Sequence, residues 1–168
     1  MLEQEWLFYG LIILLFLLIS AFLSAAETAL TAISRARIYQ LVMDGDKRAQ
    51  LVSKLRREKE SLIGTVLLGY NAVNIAASAL ATSLAINVFG NNETGLAIVT
   101  LIMTLLVVVF AEVLPKTYAI QNAESVSLAL APTVKILVKV LYPVTRAIQL
   151  FIRALLKLFG IDITKTHT

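Results

Sequence analysis

A few oxygen-bearing side chains recur at helical spacing inside otherwise apolar stretches of this sequence. Ser24, Glu27 and Thr28 stand at i, i+3 and i+4, on one face of a helix, with Thr31 one turn further on. Asn71 and Asn74 are three apart in a second apolar stretch, just after Gly69 and Tyr70, and Glu112 closes a third, three residues before Pro115. Hydroxyl and amide oxygens with a single carboxylate suit a hard cation, Mg²⁺ or Na⁺, rather than zinc or copper. The chain has no cysteine, and its single histidine, His167, is one residue from the C-terminus. That excludes a disulfide framework, a thiolate zinc site, cysteine nucleophiles and histidine catalysis. No nucleophile–base pair, phosphate loop or cofactor motif is present, so the expectation is no enzyme.

The elements that position these groups follow from composition. At 168 residues, 58% hydrophobic and only 15% charged, the chain fits one small membrane bundle better than a soluble domain, where about 25% charge is usual. Residues 1–34 and 61–115 hold no Lys or Arg, whereas residues 35–60 hold eight and the other seven follow from Lys116. Uncharged runs cover 6–26, 61–92 and 94–111, each near or above the roughly 18 residues that cross a bilayer as a helix. An all-α fold with three transmembrane helices is expected, over about 6–34, 61–90 and 94–118, in a core of residues 1–122. Basic loops stay inside, so the N-terminus lies outside and the C-terminus in the cytoplasm. The opening Met1-Leu2-Glu3-Gln4-Glu5 lacks the basic start of a cleaved leader.

Residues 35–60 keep an apolar rhythm broken by Asp44-Gly45-Asp46, which predicts two short cytoplasmic linker helices. In 125–159, Lys135, Lys139, Arg146, Arg153 and Lys157 fall within an arc of about 40° at 100° per residue. Such a stripe predicts amphipathic in-plane helices over 123–160 facing anionic lipid head groups, divided or bent at Pro132 and Pro143. The tail, 161–168, leads towards a soluble domain expected to follow. Nucleic acid is not an expected partner.

At 1.5 Å per residue, Ser24 and Glu112 each lie about 25 Å inward from the outer edge, and Asn71 about 15 Å from the inner one. The donors therefore fall at one level in the cytoplasmic half of the membrane. Pro115 cannot donate to the Ala111 carbonyl, Gly69 permits local unwinding, and Gly64, Gly69 and Pro115 are candidate flex points. Structural readings stand beside these: Asn, Ser and Thr as interhelical hydrogen-bond groups, Glu27 as a membrane-edge marker, Glu112 paired with Lys116. Asn92-Glu93-Thr94 matches a glycosylation acceptor.

Three motifs carry a resemblance: Phe22-Leu23-Ser24-Ala25-Ala26-Glu27-Thr28-Ala29-Leu30, Gly69-Tyr70-Asn71-Ala72-Val73-Asn74, and Phe110-Ala111-Glu112-Val113-Leu114-Pro115-Lys116. In this order they resemble the signatures of the CorC/cyclin M (CNNM) magnesium transporter family, in its transmembrane domain. Tyr70 stands where that family often has Asn. The resemblance implies a homodimer of three-span protomers in the plasma membrane, each with an inward-facing cavity, and Mg²⁺ efflux coupled to Na⁺ entry. It also implies a following CBS-domain pair that binds ATP and is absent from this sequence. The ligand set it points to is Ser24, Asn71, Asn74 and Glu112 with a carbonyl near Gly69. Glu27, Thr28, Thr31 and Tyr70 stand by as a Na⁺ site or supports. The alternative is a membrane-anchored Mg²⁺ sensor and dimeriser that transports nothing.

Overall fold

The computed structural model describes residues 2–161; the expected tail beyond 161 lies outside the described residues. Every regular element among them is helical: α1 (Leu2–Ala32), α2 (Arg35–Met43), α3 (Lys47–Arg57), α4 (Lys59–Phe89), α5 (Glu93–Leu106), a π-helical segment (Val107–Val113), α6 (Leu114–Gln121) and α7 (Ala123–Leu158). Four stretches, within α1, α4, α5 through α6, and α7, are long and apolar enough to cross a membrane.

Local chemistry explains the boundaries. Ser34 caps α2 by accepting the Arg37 N–H, and Asp46 caps α3 by accepting from Arg48 and Ala49. Between them Gly45 takes φ +85°, a left-handed conformation that ends α2 and lets the Asp46 N–H return to the Leu41 carbonyl. Gly90, at φ +64°, ends α4, and Asn92 starts α5 by accepting the Thr94 N–H at 3.0 Å. So short a connection folds α5 back along α4. Asn92, matched above to a glycosylation pattern, thus has a capping role.

Two buried clusters hold the bundle. Near the end occupied by α2 and α3, Leu23, Ala26 and Leu30 of α1 meet Leu62 and Val66 of α4, Val52 and Leu55 of α3, and Leu128, Ala131 and Val134 of α7. Towards the other end, Ala77 and Ala81 of α4 pack with Met103 of α5 and with Ile13 and Phe16 of α1. These partners make α1 and α4 antiparallel, with Leu30 level with Leu62 and Phe16 with Ala77. At Gly69 the helices touch closely: a Cβ there would lie 3.0 Å from Leu23 Cδ1. The unwinding expected at Gly69 does not occur; α4 runs unbroken through it and through Gly64. The missing side chain serves close helix approach instead. Elsewhere large apolar residues stay exposed, among them Leu7, Leu11, Ile75, Leu101 and Leu105, as a lipid-facing surface would require.

α7 differs from the sequence expectation in being one helix of 36 residues, passing Pro132 and Pro143 without a break. Both prolines occupy exposed positions, so neither disturbs a packed contact. Its buried apolar residues all join the cluster nearer α2 and α3. Its distal half borders a groove of about 1080 Å³ whose other wall is the first part of α4, from Glu60 to Asn71. Leu128 to Lys157 measures about 44 Å, whereas Glu60 to Asn71 measures about 16 Å. A helix so long reaches well beyond the part of α4 that it faces across the groove.

The start of α7 is tied to α2 by Arg37, whose Nε and Nη2 donate to the two Glu124 carboxylate oxygens at 2.8 and 3.0 Å. The hydrogen bonds from Arg37 hold the Glu124 carboxyl below its ordinary range. A depressed folded-state value means that the stabilisation is present above the unfolded value and lost as pH falls through the folded one. Protease cleavage within α7 should therefore increase below about pH 4 in detergent solution. With Glu124→Gln, cleavage should be raised at neutral pH and lose that acid dependence.

Candidate functional site

The α1 face that meets α4 carries Ser20, Ser24 and Glu27 at i, i+4 and i+7, all pointing to one side. Ser20 and Ser24 are 0% and 1% exposed, and neither hydroxyl has a hydrogen-bond partner. On α4, Thr65 Oγ1 and Asn74 Oδ1 are likewise buried and unpartnered, nine residues apart and so on opposite sides of that helix. The register set by Leu30–Leu62 and Leu23–Gly69 places Ser20 near the Ala72–Asn74 turn and Glu27 near Thr65.

Unpaired buried polar atoms are costly, about 1–3 kcal/mol each, and call for an explanation. Helix geometry alone does not supply one. The hydroxyls of Thr31, Thr82, Thr100, Thr104, Thr117 and Thr145 all donate to a carbonyl one turn back in their own helix. Ser20, Ser24 and Thr65 do not, although the same bond is open to them. Their oxygens are left without a partner inside the bundle.

Glu112 belongs to a third element that packs on α1. The π-helical segment and α6 pack on α1, and Glu112 is half-buried within that segment. Among the described residues the ion pairs are Arg37–Glu124 and Arg48–Asp46, so the Glu112–Lys116 pair weighed above is not formed. Tyr70, half-buried on α4, packs against the cluster that holds Leu23 and Leu30 of α1.

The π-helix also moves the open carbonyl. The Leu114 N–H bonds to the Val109 carbonyl, five residues back. In that register the donor missing at Pro115 would have served Phe110, not Ala111 as α-helical counting expects. The freed oxygen therefore stands two residues before Glu112.

Other expected residues are placed differently. Asn71 is exposed and lines the α4–α7 groove, about 60° round the helix from Asn74, whose oxygen is buried. Gly69 lies inside a continuous helix, and Pro115 is buried in the first turn of α6. Thr28 is half-buried. Thr31 is exposed, donates to the Glu27 and Thr28 carbonyls, and borders a separate groove lined by arginines, a poor setting for a cation. Sequence reasoning missed Ser20 and Thr65. The spacing of Ser20 to Ser24 and Glu27 was a usable signal; Thr65 gave none, since a lone Thr in an apolar run reads as packing.

Among the described residues no three Asp, Glu, His or Cys side chains gather where they could hold a metal. An ion here would be held largely by neutral oxygens with one or two carboxylates nearby. That arrangement accepts a hard cation and, for lack of ligand charge, lets it go again.

Comparison with known proteins agrees with the motifs. Residues 11–168 match the family described as Cyclin M transmembrane N-terminal domain. A UPF0053 protein of Haemophilus influenzae is 33% identical over 153 residues, covering 91% of this chain and 36% of that protein. The UPF0053 inner membrane protein YfjD of Escherichia coli is 39% identical over 147 residues, 85% of this chain and 33% of its own length. A chloroplastic DUF21 domain-containing protein of Arabidopsis thaliana is 34% identical over 152 residues, 90% of this chain and 23% of that protein. The chain thus spans about a third of the length of the two bacterial relatives. With nearly its whole length matched, this chain belongs to the cyclin M (CNNM) transmembrane-domain family.

Proposed function

We propose that this chain is the membrane domain of a Mg²⁺ transporter, which exports the ion in exchange for Na⁺, and that it is not an enzyme. The observation that carries this reading is the set of buried, unpartnered oxygens on Ser20, Ser24, Thr65 and Asn74, together with a half-buried Glu112 in the π-helical segment that packs on α1. Ser24, Asn74 and Glu112 form the side-chain ligand set, and the Phe110 carbonyl supplements it. Asn71 contributes from the groove side, and Ser20 and Thr65 extend the polar path through the interface. Mg²⁺ dehydrates reluctantly, so waters complete the shell. Glu27, with Thr28 and Tyr70 beside it, serves a neighbouring Na⁺ site.

In this reading α1, α4 and the α5-to-α6 rod span the plasma membrane, with the basic α2–α3 end in the cytoplasm. α7 lies in the membrane plane with its Lys and Arg stripe at anionic head groups. Two copies associate as a homodimer, and Gly64 and Pro115 are the points about which the unit flexes. In the full-length protein a CBS-domain pair that binds ATP follows.

Reconstituted vesicles test both the ion and its coupling. Mg²⁺ efflux is expected to rise when Na⁺ is imposed on the opposite side, and Asn74→Leu should lower flux at least about tenfold, the factor that 1.4 kcal/mol represents. Flux indifferent to the Na⁺ gradient would remove the coupling. Mg²⁺ binding with no flux under any gradient would favour the sensor reading instead.

A further inference from the structure

A second groove, of about 720 Å³, opens where α1, α2, α3 and α4 meet. Its rim carries Arg35, Arg56, Arg57 and Lys59, and no acidic residue lines it. The two ion pairs of the described residues involve Arg37 and Arg48, so none of these four cations is neutralised by a carboxylate. Arg56 is half-buried and fixed in place by an Nη1 hydrogen bond to the Ile33 carbonyl. Burial, and then the like charge of Arg35, push its guanidinium below the usual value. Four cations around one concavity repel each other unless an anion sits among them. Nothing in the cation site described above requires them to be there.

The groove also has an apolar floor, formed by Leu30, Ile38 and Leu62, which are buried core residues. It sits where the apolar run of α1 ends and that of α4 begins. Arginine forks match phosphate oxygens in pairs, and Ser53 and Tyr39 add hydroxyls to the same lining. A concavity with cations above and hydrocarbon below, at the edge of two apolar helices, fits a phosphate group attached to acyl chains better than a free one.

We propose that this groove is a phosphate-binding site, formed by Arg35, Arg56, Arg57 and Lys59, which takes the head group of an anionic phospholipid. It is distinct from the Lys and Arg stripe of α7, which attracts head groups without enclosing one. The proposal does not depend on what the α1–α4 oxygens bind.

Native mass spectrometry of the protein extracted from mixed vesicles of phosphatidylcholine and phosphatidylglycerol reads the site directly. The expected result is selective retention of phosphatidylglycerol, reduced about tenfold or more in Arg35→Gln/Arg57→Gln, where two charge-assisted contacts are lost. The Arg35→Lys/Arg57→Lys variant should regain a good part of it, which separates loss of charge from misfolding. Lys135→Gln/Lys139→Gln, altered only in the α7 stripe, should retain the lipid as the parent does. A parallel titration with inorganic phosphate in pure phosphatidylcholine nanodiscs distinguishes the source. Saturable phosphate binding lost in the Gln variant, without lipid retention, would keep the phosphate site and overturn its assignment to lipid. Retention equal in the parent and the Gln variant, or absent in both with no phosphate binding, would overturn the site.

Discussion

Glu112→Gln is expected to lower Mg²⁺ flux in reconstituted vesicles by at least about tenfold while leaving the protein as stable as the parent, or more so, in Mg²⁺-free detergent. The two effects have one cause. Glu112 is half-buried and has no ion-pair partner among the described residues. A carboxylate in that position is expensive when nothing neutralises it, and the neutral amide of Gln is nearly its shape. The substitution should therefore relieve the empty bundle and cripple the loaded one, the opposition expected of a residue kept for function rather than folding. Thermal unfolding with and without Mg²⁺ separates them: added Mg²⁺ should raise the transition of the parent and not of the variant. A variant that still gains stability from Mg²⁺ and transports normally would remove Glu112 from the site.

The second large effect is steric. At Gly69 a Cβ would lie 3.0 Å from Leu23 Cδ1, the tip of a flexible side chain, so Gly69→Ala requires only a small shift there. Gly69→Leu has no such escape. It drives a branched side chain into the close contact of α4 with Leu23 of α1 and should cost about 1–3 kcal/mol by overpacking. Because Ser24 follows Leu23 directly, the same wedge separates the α1 oxygens from Asn74, and Mg²⁺ binding should fail with it. Unfolding in detergent reads the first effect and Mg²⁺ titration the second. Combining Gly69→Leu with Leu23→Ala should restore part of the stability, because the two changes share one space.

Much of this architecture is legible in the residues because charge and turn chemistry are local. The uninterrupted apolar runs and the crowding of Arg and Lys into 35–60 mark long helices and their connection, and Asp44-Gly45-Asp46 marks the division between α2 and α3. The candidate site is legible only in part. Ser24, Asn74 and Glu112 stand out because polar groups in hydrocarbon need a reason. Whether a hydroxyl is satisfied by its own helix is not a property of spacing: Thr82 bonds back to Ser78, and Thr65 does not bond back at all. Nor does spacing say that Asn71 and Asn74, one turn apart, meet different surroundings, since that depends on where α7 lies. At Gly69 the sequence suggests unwinding, and only the position of Leu23 reveals a contact instead.

The π-helical segment also changes which residues its rod turns inward. From buried Met103, uninterrupted α-helical counting would bring Phe110 and Leu114 round to the bundle. The observed inward stripe is Ala111, Pro115 and Ala119, one position later. One surplus residue in the winding thus exchanges a phenyl ring for a methyl group where the rod touches α1. Excising a single valine from Val107–Val109 would straighten the winding and still leave Ala111 inward, so the seam between helices would survive while the carbonyl left open by Pro115 would shift to Ala111, one residue nearer the carboxylate. The packing of this rod and its chemistry are therefore separable by the length of one amino acid.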